Sequence, residues 1–143
     1  MSIWFKDYKL EDLLQFNDIN MMKHLDVKIT AVGKDSIEGT MPVDDRTKQP
    51  FGILHGGANC VLAESLGSIA ANLVVDPSKQ HAVGLSITTN HIKAVRNGLV
   101  KGVAKPVHIG RTTHVWNIKT YDEANKLTSD TSLSIAIIDK LGE

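Results

Sequence analysis

The stretch FGILHGGANCVLAESLGSIAANLVV, residues 51–75, holds 25 residues and a single charged side chain, Glu64. At ordinary globular composition about five or six charges would fall in such a window. The spacing predicts one long helix from Gly56 to Val75, stopped by Asp76-Pro77. A helix this apolar is buried nearly all round, and a carboxylate inside it needs partners or a function. With 100° per residue, Leu62, Leu66, Ile69 and Leu73 lie about 140–200° from Glu64, the side expected to meet a sheet. Near Glu64 on the wheel lie Gly57, Cys60, Gly67, Ser68 and Ala71, all small. Such a stripe admits close approach of a second backbone.

Outward from the helix the patterns are those of strands. Trp4 to Asn17 reads as a short amphipathic helix. Leu25, Val27, Ile29 and Ala31 alternate with polar residues, and so do Ile37, Gly39, Met41 and Val43 after the turn at Gly33-Lys34-Asp35. Residues Asp44 to Leu54 form a loop. Beyond the long helix come strand patterns at Val83–Thr89, Leu99–Val107, His114–Thr120 and Leu127–Ile137, with a turn at Asp122–Lys126. Strands on both sides of one long helix indicate an α+β chain with an antiparallel sheet. One helix covers one sheet face, so the other face is expected to meet a second copy of the chain.

The whole chain, residues 1–143, is expected to be one domain. Hydrophobic residues at 42% and charged residues at 22% exclude a disordered chain, a collagen and a coiled coil. Sixteen basic and sixteen acidic residues give zero formal charge, so no basic excess points to nucleic acid or an anionic membrane. The single cysteine, Cys60, forms no internal disulfide and fits a reducing, cytoplasmic compartment. Lys6, Asp7, Lys9 and Glu11 are unlike a signal peptide, and no run of apolar residues is long enough for a membrane helix.

His55-Gly56-Gly57 opens the helix. A helix N-terminus offers free N–H groups and the positive end of its dipole, and glycines let a ligand approach them. Such a site suits an oxyanion in acyl transfer. Together with Gln49-Pro50-Phe51-Gly52, Ala63-Glu64-Ser65, Met41-Pro42-Val43-Asp44, Asn90-His91 and Val115-Trp116, these residues resemble the hotdog-fold thioesterases. The resemblance runs from about Met41 to Ile138. It is nearest the branch acting on aromatic acyl-CoA, which includes the 1,4-dihydroxy-2-naphthoyl-CoA thioesterases and the enterobactin proofreading thioesterases.

The resemblance implies a curved antiparallel sheet wrapped around one central helix, and dimers that pair again into tetramers. It implies Glu64 as nucleophile or general base, with Gln49 and His55 beside it. The N–H groups at Gly56 and Gly57 would polarise the thioester carbonyl, and Ser68 would position water. CoA, part of the substrate rather than a cofactor, would lie along Val83, Asn90, His91, Ile92, Lys93 and Arg96, and along Val107, His108, Ile109, Gly110, Arg111 and Thr112. The substrate would be an acyl-CoA or an acyl-carrier-protein thioester, cut at a site shared between subunits.

The remaining residues add little. Lys93, Arg96, Lys101, Lys105 and Arg111 follow Asn90 and suit the phosphates of CoA. His24, His81, His108 and His114 lack ligand spacing, so no metal is expected. Cys60 has no histidine at helical spacing to activate it, and no Gly-x-Ser-x-Gly elbow is present. Two rival functions share the motif: a hotdog dehydratase or hydratase with His55 as base, and a non-catalytic acyl-CoA binding module. The latter does not need Glu64.

Overall fold

The computed structural model describes residues 1–141, so the last two positions of the expected domain lie outside the described residues. The chain runs through a 3₁₀ helix (Leu10–Asp18), a short helix α1 (Asn20–His24), strands β1 (Lys28–Val32) and β2 (Ile37–Pro42), the long helix α2 (Gly56–Val74), and strands β3 (Gln80–His91), β4 (Leu99–Ile109), β5 (Thr113–Tyr121) and β6 (Leu127–Asp139). All six strands join one antiparallel sheet in the order β1-β2-β4-β5-β6-β3. This is the α+β arrangement of a sheet around one long helix that the sequence predicts for a hotdog fold.

Alternation drives the burial. In β5, His114, Trp116, Ile118 and Thr120 are buried while their neighbours are half-exposed. Trp116 stacks on Trp4, with ring centroids 6.3 Å apart, and so ties the N-terminal segment to the core. The first strand starts three residues later than its periodicity suggests. Asp26 takes a left-handed conformation (φ 56°) directly after α1, and the extended backbone begins only beyond it.

The helix is seated by glycines on both sides. Gly39 of β2 and Gly102 of β4 are register partners, and the Leu66 side chain fills the space both leave. A Cβ at Gly39 would come within 2.7 Å of Leu66, and one at Gly102 within 2.8 Å. Gly67 of α2 faces the opposite way from expectation. Its missing side chain makes room for Leu133 and Ile118, so Gly67 belongs to the sheet contact, as does the buried Ala71. Gly67 sits about 60° from Glu64 on the helix, and the sheet reaches around to that flank. Leu62, Leu66 and Leu73 are buried as expected, whereas Ile69 is half-buried. The partly exposed stripe of α2 is therefore Gly57, Cys60, Val61, Glu64, Ser65 and Ser68.

Candidate active site

The loop before α2 delivers Gln49 to the start of the helix. The Gln49 N–H donates to Ile53 O (2.9 Å) and the Gly52 N–H to Gln49 O (2.9 Å). The Gln49 Oε1 accepts from the Phe51 N–H. Gly52 has φ 81°, a conformation that favours glycine. Gln49, Gly56, Asn59, His91 and Val95 line one small pocket of about 300 Å³.

His55 is the N-cap residue of α2, and its Nδ1 accepts the Gly57 N–H at 2.8 Å. The Ala58 and Asn59 N–H groups both donate to His55 O. The resemblance to hotdog thioesterases implies two carbonyl donors, at Gly56 and Gly57. In the structure the cap imidazole occupies Gly57, and Gly56 keeps the N–H with no protein acceptor among the described residues. A single N–H at the positive end of a long helix still suits a developing oxyanion.

Glu64 is half-buried rather than enclosed. Among the described residues it makes no hydrogen bond or ion pair, and its Oε1 rests against Gly84 of β3, where an added Cβ would collide with it. Ser68 lies one turn further along the same stripe, and Cys60 donates from Sγ to Thr89 Oγ1 at 3.4 Å. Glu64 stands eight residues beyond Gly56, about 12 Å along the axis. The structure thus brings Gln49, His55, Gly56 and His91 together at one end of the helix and leaves Glu64 and Ser68 away from them within one chain.

The expected CoA surface is likewise split. Asn90 and His91 end β3, level with Asp130 and Ser129 of β6, and Ile92 and Lys93 follow. Val107–Thr112 surrounds the β4–β5 turn, which by register lies at the Val83 end of β3, since Thr113 and Val83 both pair with Ala136. The two segments sit at opposite ends of a twelve-residue strand, because β4 runs opposite to β3 and ends level with the start of β3. The expected row of cations is also broken up. Lys93 pairs with Asp122, whose carboxyl this hydrogen bond holds below the ordinary range, and Lys101 lies 4.0 Å from Glu38. Arg96 and Arg111 are exposed, at opposite ends.

Two features escaped the sequence reading. Asn59 lies at the buried side of the first turn of α2, with its amide 3.4 Å from His91 Nδ1; a polar residue on the sheet-facing side of the wheel was the available signal. A cleft of about 660 Å³, lined by Met21, Leu25, Ala58 and Val61 and rimmed by His24 and Arg46, opens beside His55. No pattern in the sequence makes α1 and the long helix line one cleft. His114 is part of the core, where burial first and the nearby His108 second hold it below the ordinary imidazole range.

Residues 51–129 match the Thioesterase superfamily. The chain is 46% identical to a 1,4-dihydroxy-2-naphthoyl-CoA hydrolase of Escherichia coli over 95% of its own length and 99% of that protein. It is 44% identical to the proofreading thioesterase EntH of Cronobacter sakazakii, over 95% and 98% of the two chains. The crystal structure of a thioesterase from Haemophilus influenzae superposes with a TM-score of 0.93 at 42% identity, covering 99% of this chain and 98% of that one.

Proposed function

This chain belongs to the Thioesterase superfamily and is a thioester hydrolase, and from that premise we propose that it cleaves aromatic acyl-CoA to the free acid and CoA at a site built by two copies of the chain. The observation that carries this reading is the isolated Glu64 carboxylate on the partly exposed stripe of an otherwise uncharged helix. The names of its relatives, a dihydroxynaphthoyl-CoA hydrolase and a proofreading thioesterase, support the substrate class.

The thioester carbonyl receives the Gly56 N–H, with the helix dipole behind it. Gln49 and His55 flank it. The acyl group occupies the apolar cleft beside His55, and the pantetheine arm leaves past Asn90–Lys93. Glu64 then acts in one of two ways. As nucleophile, its oxygen bonds to the carbonyl carbon, CoA leaves as thiolate, and water opens the resulting anhydride. As general base, it takes a proton from the water that attacks. Single turnover in ¹⁸O-water separates these routes when water opens the anhydride at its glutamyl carbon, since only that sequence puts label in the Glu64 carboxylate and leaves the product acid with an oxygen from Glu64. Ser68 positions the water, and neither route needs a metal or other cofactor.

Two copies solve the separation of the parts. β3 has no strand partner on its outer edge among the described residues, and Leu85 on it is 63% exposed. Pairing two β3 edges about a two-fold axis extends the sheet and sets the two α2 stripes side by side, antiparallel. The start of one helix then meets Glu64 of the other. The same operation carries the β4–β5 turn, with Val107–Thr112 and Arg111, toward the Asn90 end of the partner's β3. The outer sheet face, with Thr88, Ser132, Ser134 and Ala136, receives a second dimer, giving a cytoplasmic tetramer. Acyl-carrier-protein thioesters reach the same opening.

The test is thiol release from benzoyl-CoA and hydroxybenzoyl-CoA, with and without a chelator. Glu64→Gln is expected to lower kcat at least ~10²-fold, the usual scale for a general base. Near-normal turnover in this variant, or loss of activity to the chelator reversed by zinc, overturns the assignment.

A further inference from the structure

The first turn of α2 carries one polar side chain toward the sheet, Asn59, which is only 5% exposed. Its amide nitrogen lies 3.4 Å from Nδ1 of His91, at the end of β3. Its Oδ1 has no partner, the one buried side-chain oxygen or nitrogen so left among the described residues. An amide nitrogen can only donate, so this contact calls for Nδ1 of His91 to accept, which leaves the ring proton on Nε2. That Nε2 lies over Gly56, where an added Cβ would stand 2.8 Å from it. Glycine at this position is what lets the ring lie there. A buried acceptor without a partner costs stability, so an apolar side chain would suit the packing at position 59 better. What the amide adds is a fixed orientation of the imidazole.

We propose that Asn59 is a positioning residue that fixes the tautomer and tilt of His91, so that His91 Nε2–H stands beside the Gly56 N–H as a second donor to the carbonyl oxygen of the bound thioester. Oxyanion sites use two converging donors to good effect, and the cap imidazole of His55 has already taken the Gly57 N–H. The Asn59–His91 pair supplies the missing donor from within the same chain. The inference rests on the placing of the carbonyl at Gly56 under the proposed function.

The experiment reads the ring directly. Imidazole ¹⁵N shifts of His91 are recorded at alkaline pH in the wild type and in Asn59→Asp and Asn59→Leu; His91→Gln assigns the signal. The wild type is expected to carry the proton on Nε2. Asn59→Asp offers only acceptors, so the proton should move to Nδ1, and Asn59→Leu should give a mixture. In both variants kcat should fall about tenfold, the scale of a misoriented group, with KM changed less than about twofold. If Asn59→Leu does not fold, Asn59→Asp carries the test alone, because a carboxylate suits a helix N-terminus. A wild-type ring protonated on Nδ1, variants that keep the wild-type tautomer, or a moved proton with unchanged kcat each overturn the proposal. Failure of the underlying site reads differently: Glu64→Gln would keep its turnover whatever the tautomer of His91.

Discussion

Two inactive variants, Glu64→Ala and Gln49→Ala, are expected to restore one another. The reasoning is geometric. Gly56 and Glu64 are eight residues apart on one straight helix, about 12 Å along its axis, farther than a glutamate side chain spans. Gln49 shares a pocket with Gly56 and not with Glu64. If each site takes Gln49 from one chain and Glu64 from its partner, a mixed dimer holds one site with both defects and one with neither. Random pairing makes about half the dimers mixed, so about a quarter of wild-type activity should return above the sum of the parents. The variants are co-expressed with different tags, mixed dimers are isolated and confirmed by mass, and thiol release is measured; the purified mixed species should show about half the wild-type rate. Mixed dimers as inactive as their parents would mean that each chain completes its own site and that Glu64 reaches the carbonyl by a route this geometry excludes.

Gly102→Ala pushes a methyl group against Leu66 and should destabilise the fold by about 1–3 kcal/mol as an overpacked core does, read as a lowered midpoint in denaturant; an unchanged midpoint would show that Leu66 repacks freely. His114 has a depressed pKa in the fold, so its contribution is complete above the ordinary histidine pKa and is lost as pH falls, because the unfolded chain binds the proton first. Unfolding free energy should therefore decline below about pH 6.5, and His114→Gln should flatten that decline; an identical pH slope in the variant argues against His114 as its source. Affinity for CoA should weaken as salt rises, through Arg96 and Arg111, with Lys93 contributing less because Asp122 holds it. A salt-independent Kd would place the phosphates away from these residues.

The sequence carried the elements well and their meeting poorly. Periodicity located α2 to within one residue and each of the six strands, because alternating or helical burial is written in consecutive residues. It placed Gly67 and Ala71 on the wrong side, since a wheel treats a helix as having two faces and this one is wrapped on three. The site residues Gln49, His55, Gly56 and Glu64 are legible as a motif, and so is the separation of Glu64 from the start of the helix, which the eight-residue spacing fixes through helix rise. The hydrogen bond from Gly57 N–H to the cap imidazole is not legible, because a ring folding back over two residues leaves no pattern. The division of the CoA segments depends on strand register, which links Val83 and Thr113 through Ala136; no local signal encodes pairings between residues so far apart in the chain. The Asn59–His91 contact spans 32 positions and was hidden for the same reason.

The place of β3 at the end of the sheet also sets a timetable. β3 leaves the ribosome soon after α2, but among the described residues its only strand partner is β6, and Gln80 waits for Asp139, 59 residues later. Until then the nascent chain can pair β1 with β2 and lay α2 on them, while the backbone of His91 lacks its strand partner Ser129. The carbonyl-binding end of the enzyme is therefore assembled last, after almost the whole chain has been made. A fragment stalled before β6 keeps a long helix and a bare strand exposed to chaperones and to its neighbours on the polysome, and has no half-active state in which to release a thiol.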